Sequence, residues 1–402
     1  MLDAYLYLGL RTPFGRHGGA LATLRADDLA AAVVAEVVAR APFPAGSIED
    51  VILGCANQAG EDSRNVARNA ILASGLPISI PGQTVNRLCA SGLAAVIDAA
   101  RAVTAGEGEI YLAGGVESMS RAPFVMGKAE SAWQREMKIF DSAIGARFAN
   151  PRTISAHGAD SMPETGDNVA REFFISREDA DAFAAASQTK FAAARAAGFF
   201  AGEIIPIEVP TGRKSPPKIV SEDEHPRPGT NAAQLAGLNP LYAGGVVTPG
   251  NASGLNDGAA AMFVASRAAG ARYGAKPLAR ILASAAVGVA PRIMGVGPAY
   301  AIPRALDRAG LALAQMDIVE INEAFATQAL SCLKLLGIAF DDSRVNPHGG
   351  AIAVGHPLGA SGARLMLSTA RALHEQDGRY AVVSLCIGMG QGLAVVIERV
   401  ED

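Results

Sequence analysis

The sequence is poor in the residues that most often announce a function. It has one tryptophan, only 5% aromatics, four cysteines and six histidines among 402 residues. Cys55, Cys89, Cys332 and Cys386 lie far apart. No C-x-x-C pair therefore implies a structural zinc, and a chain of this size needs no disulfide framework. No apolar run reaches the about 20 uncharged residues of a membrane-spanning helix; even A-A-V-V-A-E-V-V-A-R is broken by Glu36 and Arg40. The chain opens on a strand-like run containing Asp3 rather than on a secretory leader, and it ends without a peroxisomal address, so the expected location is the cytoplasm. A net charge of −4 and a pI near 5.9 supply no basic field for nucleic acid. The phosphate-cradling G-x-x-x-x-G-K-[ST] loop is missing. No strand leads into G-x-G-x-x-G with an acidic ribose reader behind it, which argues against a dinucleotide cofactor.

What is abundant is small and apolar. Half the residues are hydrophobic, 44 are glycine, and the mean hydropathy is +0.22. That composition predicts parallel strands covered on both faces and close helix packing, in a core large enough for two or three domains.

The first 120 residues alternate strand and helix. Tyr5–Leu10, Val51–Gly54, Thr84–Arg87 and Ile110–Ala113 read as strands; Asp27–Ala41, Arg64–Ala73 and Ala90–Ala105 read as helices. The alternation returns after about residue 278. There Leu278–Ser284, Ile318–Ile321, Tyr380–Leu385 and Leu393–Glu398 read as strands, and Ala299–Ala309, Ala324–Leu336 and Leu358–Leu373 as helices. The two stretches match in order: E-D-V-I-L at 49–53 with M-D-I-V-E at 316–320, V-N at 85–86 with V-N at 345–346, A-S-G at 90–92 with A-S-G at 360–362, and A-R-A-V at 100–103 with A-R-A-L at 370–373. Such order indicates an internal duplication. Residues 120–250 break the pattern, with a helix at Ser176–Ala197 and a proline-rich, charged stretch at 211–230, and read as an insertion at one sheet edge. The expected division is 1–119 plus 251–270, 120–250, and 271–402.

Cys89 closes a strand and opens a helix, where the macrodipole and free N–H groups are expected to lower a thiol pKa. Cys55 and Cys332 sit in apolar runs and read as small buried fillers. Cys386 precedes G-M-G-Q-G, a turn that either exposes amides to an oxyanion or joins two strands. His356 lies among glycines ahead of a helix, with Pro357 suited to its first turn; His348, in N-P-H-G-G, is a weaker candidate. Asn322 ends a strand where it can orient a water or an imidazole, or cap the following helix, and its neighbour Glu323 competes for the orienting role. A thiolate taking an acyl group, a neighbouring imidazole base and a second thiol moving a proton α to a thioester form a coherent set. That chemistry requires neither a metal nor a bound redox cofactor.

At these residues the sequence resembles the thiolase family along its whole length. The motifs are R-T-P-F-G-R (11–16), N-R-L-C-A-S-G (86–92), G-G-V-E-S-M-S (114–120), G-N-A-S-G-L-N-D-G-A (250–259), N-E-A-F-A (322–326), G-G-A-I-A-V-G-H-P-L-G-A-S-G (349–362) and C-I-G-M-G-Q-G (386–392). The resemblance implies a duplicated, layered α/β fold with an inserted loop domain over coenzyme A. It implies that Cys89 is acylated and that His356 activates it, forming one oxyanion hole with a water held by Asn322. Cys386 would be the acid/base, and the amides of Cys89 and Gly388 a second hole. Ser253 would contact the pantetheine arm, and Met162 and Phe325 would line the pocket. Arg213, Lys214, Lys218 and Arg227 would be available to the phosphates. Coenzyme A and acyl-CoA would be substrates, with no permanently bound cofactor, in a homodimer or homotetramer. Where many members carry H-M-G, this chain has S-M-P-E-T-G-D-N (161–168). That run, with C-A-N-Q-A-G-E-D-S-R-N-V-A-R (55–68) and S-R-A-P-F-V-M-G-K-A-E-S (120–131), is similar to thiolases acting on 3-oxoadipyl-CoA; the runner-up is a broad-range 3-ketoacyl-CoA or acetoacetyl-CoA enzyme. Arg121, Lys128 and Arg147 are the basic residues available to a substrate carboxylate.

Overall fold

A computed structural model describes residues 1–212 and 215–401. Arg213 and Lys214 lie outside the described residues. Strand β1 (Ala4–Arg11) and the short β2 (Gly15–Arg16) lead into α1 (Ala26–Arg40), whose first turn carries Asp27 and Asp28 at the positive helix end. Then follow β3 (Asp50–Gly54), α2 (Val66–Ala73), β4 (Gly82–Val85), α3 (Ser91–Ala105) and β5 (Ile110–Ser118).

Residues 119–255 hold smaller pieces: the hairpins β6–β7 (Phe124–Met126, Ile139–Asp141) and β8–β9 (Ile207–Val209, Lys218–Val220), with helices α4 (Pro151–His157), α5 (Met162–Glu172), α6 (Arg177–Ala196) and α7 (Ala232–Ala236). The Ser176 side chain caps α6 through the Asp179 N–H, as its spacing predicts. The remaining elements are β10 (Asn256–Ala265), α8 (Arg267–Tyr273), β11 (Ala279–Gly288), α9 (Gly297–Ala309), β12 (Ile318–Ile321), α10 (Ala326–Leu336), α11 (Ala351–Val354), α12 (Leu358–Glu375), β13 (Tyr380–Ile387) and β14 (Gln391–Arg399).

The duplication is visible in strand order. One half runs β1-β10-β5-β3-β4, with antiparallel, antiparallel, parallel and parallel pairings. The other runs β11-β14-β13-β12 with the first three of those pairings, and a parallel bridge from Val319 to Val345 stands where β4 would be. An antiparallel contact of β1 with β11, Leu6 opposite Ala279, joins the halves. The expectation of parallel strands therefore holds for β3, β4 and β5 and for β12 with β13. Elsewhere the sheet is antiparallel, because β10 and β14 return beside their neighbours.

The matched A-S-G runs open α3 and α12, which pack on each other between the two half-sheets. Small residues make that possible. A Cβ on Gly92 would lie 2.5 Å from the Gly359 carbonyl oxygen, and one on Gly362 would lie 2.4 Å from the Leu93 nitrogen. Outer helices α1 and α2 cover one half-sheet, and α9 covers the other. The window Leu88–Ala105 is apolar enough to cross a membrane by composition, but it is mostly buried and serves as this central core layer.

Candidate active site

The chain leaves β4 two residues before the sequence predicts. Arg87 has φ −129° and Leu88 a left-handed φ of 48°, which brings Cys89 into a short 3-10 turn before α3. A left-handed non-glycine residue costs on the order of 1–3 kcal/mol and persists only where its surroundings fix it. Here the Leu88 N–H donates to Asn86 Oδ1 (3.0 Å), and the Ser91 hydroxyl donates to the Leu88 carbonyl (2.7 Å). Opposite stands the turn after β13, where Met389 is also left-handed (φ 65°) and the Gly388 N–H faces the Cys89 sulfur. A Cβ on Gly388 would meet Leu88 Cδ1 at 3.4 Å and Met162 Sδ at 3.8 Å, which places Leu88 and Met162 around this turn.

The expectation of a low Cys89 pKa does not hold for the free protein. Burial pushes the thiol up to about 11, against the opposing effect of the Gly388 and Cys89 N–H groups. Desolvation outweighs the helix end, so the resting Cys89 side chain is a neutral thiol. Cys386, 1% exposed, is likewise pushed up by burial and by the neighbouring Cys89. It sits in an apolar nest with Val247, Ala252, Met294 and Phe325.

His356 is the candidate base. Burial, aided by the Arg364 charge, lowers its pKa to about 3, so the imidazole is neutral at physiological pH. Its Nδ1 lies 2.7 Å from Ser361 Oγ, and that hydroxyl donates its one hydrogen to the Pro357 carbonyl at 2.9 Å. The hydroxyl must therefore accept from Nδ1–H, leaving the lone pair on Nε2. Asn322 Nδ2 approaches that Nε2 at 3.4 Å, while Asn322 Oδ1 is buried with no hydrogen-bond partner among the described residues. A buried amide oxygen without a donor suits a water or a substrate group. Nitrogen-15 NMR of His356 is expected to show no change of ionisation from pH 8 to pH 5; a histidine at the ordinary 6.5 would gain its proton within that interval.

Asn322 and Glu323 part company. Glu323 accepts from Ser187 Oγ (2.7 Å), Asn346 Nδ2 (2.8 Å) and the Ile352 N–H (3.2 Å), fastening the glycine-rich loop to α6 and leaving the imidazole to Asn322. Nor does Asn322 cap α10, whose N-cap position is Phe325. Cys55 donates to the Asn57 carbonyl and Cys332 to that of Gly295, as buried fillers do. His348 stacks on Phe199 and pairs with Glu375 at 2.6 Å, away from this set.

Three positioning residues are absent from the sequence reading. Asn256 Oδ1 accepts the His356 N–H (2.9 Å), and a Cβ on Gly355 would collide with the Asn256 amide. Ser361 sets the tautomer. Glu117 accepts from the N–H groups of Ala56, Asn57 and Gly359 (3.0, 3.0 and 2.8 Å), tying β3 to α12, and burial raises its carboxyl to about 7. With Cys55 and Asp62 it also forms a buried group of three metal-capable side chains within 4.8 Å. Each of the three positioning residues lies inside a motif quoted above, yet its role depends on contacts that local sequence does not reveal.

Of the other predicted residues, Ser253 donates its N–H to the Ala324 carbonyl (3.0 Å), beside the Ala252–Phe325 bridge. Met162 begins α5 behind the Ser161–Glu164 capping box. Arg227 lines a cavity of about 180 Å³ with Gln188, His225 and Ile352. Lys218 is exposed on β9, while Val220 of that strand and Val209 of the paired β8 belong to the apolar cluster that also holds the buried residues of α1. Arg121 is engaged by Glu61 (Nε–Oε2 2.6 Å), which removes it as a free carboxylate reader, and Lys128 is exposed.

Residues 6–268 match the family described as thiolase, N-terminal domain, and residues 275–399 match thiolase, C-terminal domain. A 3-oxoadipyl-CoA/3-oxo-5,6-dehydrosuberyl-CoA thiolase of Escherichia coli K12 is 56% identical over 402 residues, covering 100% of both chains. A beta-ketoadipyl-CoA thiolase of Acinetobacter baylyi is 54% identical, again over 100% of both. The crystal structure of Bacillus anthracis acetyl-CoA acetyltransferase superposes with a TM-score of 0.92 at 36% identity, covering 100% of this chain and 99% of that one.

Proposed function

The chain belongs to the thiolase family, and from that premise we propose that it is an acyltransferase that cleaves 3-oxoadipyl-CoA with coenzyme A to succinyl-CoA and acetyl-CoA. The observations that support the chemistry are the closeness of the Cys89 and Cys386 thiols, felt in the raised Cys386 pKa, and a buried, neutral His356 beside the unpartnered amide oxygen of Asn322. The substrate rests on the names of the full-length relatives, 56% and 54% identical.

In the proposed sequence, His356 Nε2 takes the Cys89 proton as the sulfur attacks the C3 ketone. The oxyanion forms where the polar groups converge, beside Asn322 and the Gly388 and Cys89 amides. The C2–C3 bond breaks, leaving succinyl on Cys89. The electron pair passes to the acetyl-CoA enolate, which Cys386 protonates. Coenzyme A then gives its thiol proton to the Cys386 thiolate and takes the succinyl group, and the departing Cys89 sulfur recovers its proton from His356. No metal or permanently bound cofactor enters. Segment 120–250 acts as the cover over coenzyme A, between halves 1–119 plus 251–270 and 271–402. Ser253 meets the pantetheine arm, Met162 and Phe325 line the acyl pocket, and Arg227 is the phosphate contact. The protein works in the cytoplasm as a homodimer or homotetramer.

The test is a ratio. The kcat/KM for 3-oxoadipyl-CoA is expected to exceed that for 3-oxohexanoyl-CoA, equal in length but methyl-ended, by about 30-fold or more, because a site built for a carboxylate leaves its donors unpaired with the analogue. A ratio near one would leave a general ketoacyl-CoA thiolase.

A further inference from the structure

In the acyl-enzyme of the proposed reaction, two methylenes separate the thioester carbonyl from the distal carboxylate. The group that reads that carboxylate must therefore stand close to Cys89. A desolvated carboxylate also requires a charge-assisted partner.

Arg147 differs from the other basic residues considered. Its Nη1 donates to the Ser142 carbonyl (3.0 Å) and its Nη2 to Asn57 Oδ1 (3.3 Å), both neutral acceptors. Among the described residues no carboxylate lies within ion-pair distance of it, whereas Arg121 is consumed by Glu61. The half-buried guanidinium is therefore fixed in orientation, keeps donors to spare and carries an uncompensated charge. Its anchor leads to the reaction centre. Asn57 Nδ2 donates to Ser142 Oγ (3.1 Å), and the Asn57 N–H donates to Glu117, whose charge acts on the Cys89 thiol and whose other oxygen holds the first turn of α12.

We propose that Arg147, oriented by Asn57 and Ser142, binds the distal carboxylate of the acyl chain and sets the preference for a diacid substrate. The assignment rests on the diacid reading above and adds the residue responsible.

The experiment measures kcat/KM for 3-oxoadipyl-CoA and 3-oxohexanoyl-CoA in the wild type, Arg147→Gln, Arg147→Lys and Arg121→Gln. In Arg147→Gln the preference for the diacid should fall by about 30- to 100-fold, the span of a lost hydrogen-bonded charge. Arg147→Lys should retain part of it, and Arg121→Gln should keep the wild-type ratio. Reading a ratio within each protein separates recognition from a general loss of folded enzyme, which lowers both rates together. A strong wild-type preference that survives in Arg147→Gln overturns the assignment and leaves the substrate standing. A wild-type ratio near one overturns the diacid reading, and the assignment with it.

Discussion

Cys89→Ser is expected to lower thiolysis by about 10⁴-fold or more, the scale on which removing a nucleophile disables a covalent mechanism. The size follows from geometry as much as from nucleophilicity. Cys89 stands at a strained turn, its sulfur facing the Gly388 amide and its backbone opening α3. A serine there would present a hydroxyl far less acidic even than a thiol held at about 11. The candidate base, the neutral His356 imidazole with a pKa near 3, has little proton affinity to spare. Acylation should therefore fail while the fold remains, because a hydroxyl fits wherever a thiol does. Steady-state thiolysis combined with thermal unfolding checks both halves of this statement; a serine variant retaining a tenth of the activity would contradict it.

Cys386→Ser should divide the reaction in two. The acyl transfer to Cys89 persists, while exchange of acetyl-CoA methyl hydrogens with deuterated water falls by about 10²- to 10⁴-fold, the usual range for a lost general acid–base group. The apolar nest of Val247, Ala252, Met294 and Phe325 raises the Cys386 thiol. It thereby keeps the group protonated and ready to give a proton to the departing enolate. His356→Ala should show the opposite split, with acylation itself impaired by about 10²-fold or more. Mass spectrometry of the acyl-enzyme and NMR of the recovered acetyl-CoA read the two half-reactions separately. Normal exchange in Cys386→Ser would refute the division of labour.

How much of this was legible depends on the range of the forces involved. β12 and the core of α3 and α12 follow from apolar periodicity, and the matched A-S-G runs from the need for small residues where those helices touch. β10 gave no such signal. Its N-D-G-A-A-A-M-F-V-A run is rich in alanine, and it is a strand because β1 and β5 flank it. Strand direction was illegible for the same reason. Local settings and motif likeness nominate Cys89, Cys386, His356, Asn322 and Gly388, but the protonation of the two thiols and the imidazole was not legible, since burial by distant segments decides it. The sequence promised Cys89 an acidic thiol from its helix start, and desolvation reversed that. Glu323 and Asn322 could not be ranked until Ser187 and Asn346 were seen to claim the carboxylate.

In the proposed reaction, cleavage passes through succinyl on Cys89. Wild-type protein mixed with 3-oxoadipyl-CoA in the absence of free coenzyme A, quenched within one turnover and digested, tests it directly. One equivalent of acetyl-CoA should be released, with the succinyl group on the peptide containing Cys89; succinyl on the Cys386 peptide, or acetyl-CoA released with no acylated cysteine, would overturn the proposed reaction.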